Sequence, residues 1–127
     1  MNINQISFQV LLIFSGFVLS QTTQAQVFEI KNASKRYDVK ITTSCTDRSC
    51  DGQANIDLYL KGTVQRFQRI SSAELTMDLD ETDKPSVNVV QLYGEQSAVI
   101  FADFNFDGSE DVAIRNGNYG AYGGPTY

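Results

Sequence analysis

Polar and apolar residues alternate through much of this chain, and nowhere does an apolar stripe recur at helical spacing between recognisable caps. Tyr37-Asp38-Val39-Lys40-Ile41-Thr42 and Asn55-Ile56-Asp57-Leu58-Tyr59-Leu60-Lys61 each build one apolar and one mixed face when extended. Residues 73–79 alternate too and read as a strand. Gly62 ends the second run, and residues 63–70 follow closely enough to return as its hairpin partner, although their apolar residues Val64, Phe67 and Ile70 recur every three. Residues 87–93 and 97–102 read as a hairpin across Gly94-Glu95-Gln96. The expected fold is all-β, built from antiparallel sheets.

The first charged side chain is Glu29, so the opening segment is a different material from the rest. Residues 8–19 form an apolar stretch within the roughly 7 to 15 residues of a signal h-region and short of the roughly 20 that span a bilayer. Polar residues 20–25 follow, and cleavage after Ala25, with Thr23 two places before it, leaves Gln26 as the new terminus. The n-region carries no Lys or Arg, so its positive charge is the terminal amine. Residues 1–25 therefore read as a secretory signal, with an uncleaved anchor or a buried element of the fold as the alternatives. Residues 26–127 read as one β-rich domain, exported to the periplasm or secreted. No cysteine stands near the cut for lipid attachment, so no membrane association is expected after cleavage.

Composition removes whole classes of function. With no histidine, the chain has no Ser-His-Asp triad, no Cys-His pair and no His-ligated zinc. A net charge of −5 argues against nucleic acid, whose binders cluster Lys and Arg. The two cysteines, Cys45 and Cys50, stand four residues apart, and Asp51-Gly52 after them supplies turn chemistry. Outside the cytoplasm such a pair is expected to close a disulfide; a reactive or zinc-binding pair is the alternative, against which stand the spacing and the scarcity of further N or S ligands. A domain of this size buries only about 60 to 65% of its unfolded surface, so fastening of this kind helps it.

The most specific motif is Asp103-Phe104-Asn105-Phe106-Asp107-Gly108-Ser109-Glu110-Asp111. Calcium is a hard cation that takes oxygen ligands, and D-x-N-x-D-G places three side-chain oxygens at alternate positions before a glycine that permits a sharp reversal. Asp103, Asn105 and Asp107, the Ser109 carbonyl, and Asp111 directly or through water are the expected Ca2+ ligands. An EF-hand would place a bidentate Glu at the twelfth position, where this chain has Ile114, and the flanking runs are β-type. The loop therefore joins two strands; an ordinary solvated turn is its plainer reading. An ion bound there would stabilise the fold by about 2.7 kcal/mol at a free concentration 100 times its dissociation constant.

Three further segments stand out. Residues 78–83 are dense in acids and end at Lys84-Pro85; they read as a solvated loop, with a second cation site or a docking patch as alternatives. Asn32-Ala33-Ser34 matches a glycosylation sequon, taken as accidental. Residues 116–127 interleave Gly and Tyr, and Tyr119 and Tyr122 either grip a partner or tuck under the sheet.

Residues 99–114 resemble the hydrophobic-D-F-N-x-D-G-x-x-D-hydrophobic blade of integrin-like calcium-loop propellers. Extended through residue 127, the segment resembles a family of secreted bacterial immunity proteins directed against a peptidoglycan-hydrolase effector, which are similar to periplasmic lysozyme inhibitors. The resemblance implies a β-propeller-like fold, here partial, and the same five calcium ligands. A complete propeller needs about four or more four-stranded blades, so a fragment or truncated gene product is expected. The implied function is a calcium-stabilised inhibitor that binds a lysozyme-like hydrolase, with Tyr119 and Tyr122 as candidate contacts. A structural or adhesive calcium-binding module of the cell surface is the alternative. An enzyme working through two carboxylates is the weakest reading, because the best-placed acids belong to the calcium loop, and none is expected.

Overall fold

The computed structural model describes residues 24–90 and 96–117. They form an all-β molecule of two antiparallel sheets. The first contains β1 (Gln26–Ile30), β2 (Tyr37–Thr46), β3 (Ser49–Leu60) and β4 (Arg66–Asp78), paired in chain order as a meander. The second pairs β5 (Val99–Ala102) with β6 (Asp111–Ile114). The described residues form neither a closed barrel nor a propeller.

Strand alternation fixes the register of the first sheet. Phe28, Ile41, Ile56 and Ile70 lie opposite one another across all four strands, as do Ile30, Val39 and Leu58 across three. These rows form the face that packs with the second sheet. Ile41 and Ile56 are fully buried, and Val99 and Phe101 of β5 join them in one core with Leu75 and Met77. The Tyr37 ring stacks on Phe101 and lies tilted against Phe67, with both centroids 5.8 Å away.

Between the apolar rows runs a charged one on the opposite face. Glu29 faces Lys40, Lys40 faces Asp57 and Asp57 faces Arg69, so charge alternates in sign across the four strands. Asp57 is only 3% exposed. Arg69 donates to both its carboxylate oxygens, Nε at 2.6 Å and a terminal nitrogen at 2.7 Å, and Arg66 stands 3.6 Å away. The hydrogen bonds from Arg69 hold the Asp57 carboxyl below its ordinary pKa against the opposing effect of burial. A slip of one residue would turn both the apolar rows and this charged row to the wrong face, so the two patterns specify the same register.

Irregularities in β4 account for its mixed pattern. The register shifts at Leu58/Tyr59 and again at Gly52/Ala54, and each shift changes which side chains of β4 face the core. Phe67 and Ile70 thus share a face despite their three-residue spacing. Beyond the second shift, Leu75 and Met77 take over as buried positions opposite Gly52 and Cys50. Residues 63–70 and 73–79, which alternate out of phase, therefore belong largely to a single strand. Gly52, at φ 112°, sits at that shift and not in a turn. The reversal lies between the cysteines, where Asp47 has φ 55°, and Cys45 and Cys50 face each other across it as a disulfide.

The expected hairpin of residues 87–93 with 97–102 is corrected by the structure. β5 pairs with β6 across the acidic loop, and Val87 meets Val99 in an isolated parallel bridge, flanked by the backbone bonds Asn88 N–H to Val99 O and Ser97 N–H to Val89 O. Asn88 is the physical reason. It adopts φ 61°, which interrupts an extended chain, and its side chain takes bonds of its own. Its amide donates to the Ala33 carbonyl at 2.7 Å and accepts the Phe101 N–H at 2.7 Å, tying the β1–β2 connection to β5. Ser97, nearly fully buried, accepts the Val89 N–H at 2.9 Å. Residues 91–95 of that segment, and residues 1–23 of the proposed signal, lie outside the described residues. Among those described, no helix is long and apolar enough to cross a membrane.

Candidate metal site

The register of β5 and β6 opens the acidic loop. Ala102 faces Asp111, so Asp103 leaves one strand as Asp111 enters the other, and residues 103–110 bridge the mouth. Once outside the ladder, the backbone N–H groups of the loop need new acceptors, and the loop's own side chains supply them. Asp107 N–H is received by both Asp103 Oδ1, at 3.0 Å, and Asn105 Oδ1, at 3.1 Å, which sets these two oxygens beside each other. Gly108 N–H donates to Asp103 Oδ2 at 2.8 Å, and Ser109 N–H to Asp107 Oδ1 at 2.8 Å. Phe104 N–H donates to Asp111 Oδ2 at 3.1 Å and closes the mouth.

Two residues turn the loop in the left-handed region. Gly108 has φ 86°, as its place in the motif anticipates, and Phe106 has φ 60°. The second is unexpected, because a bulky side chain is seldom found there. The Ser109 N–H, aided by the Asn105 amide at 3.0 Å, holds the Asp107 carboxyl below its ordinary pKa, so it stays charged in mildly acidic solution.

The donors fit calcium by chemistry: they are oxygens only, from carboxylate, amide and carbonyl groups. An ionised carboxylate has about four acceptor positions, so those that receive one or two N–H groups retain capacity for an ion. Their present arrangement is directed at the backbone. Among the described residues, no three acidic or cysteine side chains converge as a metal-holding group. Glu110, which the motif leaves unassigned, has its Oε2 atom buried with no hydrogen-bond partner among the described residues. It lines a groove of about 300 Å³ with Tyr37, Leu58, Phe67, Gln68, Asp111 and Val112.

The acidic loop at residues 78–83 is folded on itself. Asp80 accepts from the Thr82 hydroxyl and N–H, each at 2.7 Å, and from Lys84 N–H at 3.1 Å, which lowers its carboxyl pKa. This is the geometry of a solvated turn closed by its aspartate. Tyr119 and Tyr122 lie outside the described residues. Sequence reasoning did not single out Phe104 and Phe106, which are 50% and 91% exposed on the acidic loop. The usable signal was an aromatic residue just before Asp-Gly, where the chain must reverse. No protein-family model, curated protein or solved structure matches the chain.

Proposed function

We propose that the protein is an exported, calcium-stabilised binding protein, and that its target is a lysozyme-like peptidoglycan hydrolase met in the periplasm. The observation that carries the calcium part is the oxygen-only loop itself. It spans the two strands of the second sheet, reverses at Gly108, and sets the Asp103 and Asn105 oxygens side by side. The Cys45–Cys50 disulfide fits an oxidising compartment, in keeping with the signal-like residues 1–25. An acidic chain with a sequence pI near 4.5 suits a cationic hydrolase, because complementary charge speeds association. The hydrolase as target rests on the resemblance of residues 99–127. Asp103, Asn105, Asp107, Ser109 and Asp111 are the proposed ligands, and Tyr119 and Tyr122 remain proposed contacts. Lysis of purified cell walls by a panel of lysozyme-like hydrolases, with and without the calcium-loaded protein, tests the proposal. Inhibition of at least one is expected, and neither binding nor inhibition across the panel sinks it.

A second reading, an adhesive module for neutral glycans, is favoured by one observation. A groove of about 540 Å³ crosses the bulged part of the first sheet, lined by uncharged groups that include Thr42, Ser44, Gln53, Asn55 and Ser71. Hydroxyls and amides of this kind match a polyhydroxylated ligand. Binding to a neutral polysaccharide, lost on Asn55→Ala, together with indifference to every hydrolase, would favour it.

A further inference from the structure

We infer that Phe106 is the anchor residue by which this protein engages its target, entering an apolar pocket whose rim is basic. The inference rests on the hydrolase-binding reading above and assigns its contact to the metal loop. The first observation is exposure: Phe106 shows 91% of its surface to solvent and Phe104, two residues earlier, 50%, while the aromatic rings of Tyr37 and Phe101 are buried. The second is conformation. Phe106 holds φ 60°, where a glycine would be easier, so a ring that is 91% exposed is displayed at a cost in backbone energy that burial does not recover.

The third observation is rigidity. The backbone on either side of Phe106 is fixed by side-chain bonds, with Phe104 N–H held by Asp111 and Asp107 N–H held by Asp103 and Asn105. A large aromatic side chain on a pre-ordered loop loses little freedom on binding, and buried aromatic anchors of this kind dominate interface energies. Charge selects the partner. Asp103, Asp107, Glu110 and Asp111 crowd more negative charge around the loop than one bound Ca2+ neutralises, so the loop stays net negative and a pocket for Phe106 is best surrounded by Lys and Arg. An anionic lipid surface is repelled by the same charges. The preferred partner is therefore a basic protein with an apolar cleft.

The experiment measures binding of calcium-loaded wild type, Phe106→Gly, Phe106→Asn and Phe106→Trp to the hydrolase panel by calorimetry, and to phosphatidylglycerol and phosphatidylcholine vesicles by sedimentation. Gly and Asn both accept a left-handed backbone, so these two variants remove the ring without opposing the turn. Expected are melting temperatures equal to or above wild type, affinity for the bound hydrolase reduced about tenfold or more by both, and retention in Phe106→Trp. Wild-type affinity in the Gly and Asn variants overturns the anchor and leaves the hydrolase reading standing. A fall in their melting temperature also overturns it, because the ring is then a packing group. Failure of wild type to bind any hydrolase overturns the target reading and the anchor with it. Vesicle binding that depends on Phe106, without hydrolase binding, replaces the protein pocket by a lipid surface and overturns the proposal.

Discussion

Replacing Asp57 by Ala should destabilise the protein by about 2 kcal/mol at neutral pH, and the figure follows from its surroundings. The side chain is 4% exposed and receives two short bonds from Arg69, at 2.6 and 2.7 Å. Charge-assisted hydrogen bonds contribute about 1.5 to 3 kcal/mol each, and loss of one partner from a fully buried pair costs about 3 to 5 kcal/mol. Arg69 is 45% exposed, however, and can turn to water once Asp57 is gone, which brings the expected loss below that range. In a domain this small, about 2 kcal/mol lowers the melting temperature by roughly 8 to 16 °C. The sign of the pH dependence is also fixed. Because the folded-state carboxyl pKa is depressed, its contribution is fully present above the unfolded value of about 3.9 and is lost as pH falls through the folded pKa. Urea unfolding of wild type and Asp57→Ala, followed by tyrosine fluorescence because the chain has no tryptophan, should therefore show a constant gap from pH 5 to 7 that narrows below about pH 4. A gap under about 0.5 kcal/mol at pH 7, or one that stays constant into acid, refutes the assignment of the charged row as a stabilising device.

Reduction of Cys45–Cys50, or its replacement by two alanines, should cost on the order of 2 kcal/mol by the chain-entropy account of so short a loop; thermal melts with and without reductant check this. Asn88→Ala removes the bonds to Ala33 and Phe101 and should cost about 1 to 3 kcal/mol in urea unfolding, with Asn88→Gly restoring the backbone preference but not the bonds. Gly108→Ala meets no atom within 4 Å, so its expected cost of about 1 kcal/mol is that of the φ of 86° alone, read as a lower melting temperature in chelator.

How far the fold could be read from the chain depended on whether a pattern kept its phase. Residues 37–42 and 55–61 alternate without interruption, and they became the first part of β2 and, as far as Leu60, the last part of β3. β4 changes phase at two bulges, so its halves looked like separate elements, and the every-three spacing of Val64, Phe67 and Ile70 hid a strand that begins only at Arg66, after the exposed Val64. The segment at residues 87–90 has strand-like residues, but the left-handed Asn88 breaks its extended run and its side chain bonds to residues 55 and 13 positions distant, which no local pattern reveals. The disulfide was legible because its partners are close in sequence. In the acidic loop, residue types and order were legible, and so was the turn at Gly108. The left-handed Phe106, the orphaned Glu110 oxygen and the use of the carboxylates as acceptors for the loop's own N–H groups follow from three-dimensional placement. The Glu29–Lys40–Asp57–Arg69 row was equally hidden, since alternation gives each strand its charged face and only pairing brings the four charges into line.

Residues 103–111 are proposed to bind calcium and thereby fasten the second sheet. Calorimetric titration of CaCl2 into chelator-stripped protein, paired with the melting temperature of the same samples, tests it most directly. A single calcium site, a higher melting temperature on binding, and loss of both in Asp103→Asn/Asp107→Asn are expected. Absence of binding heat and an unchanged melting temperature at millimolar calcium would contradict it.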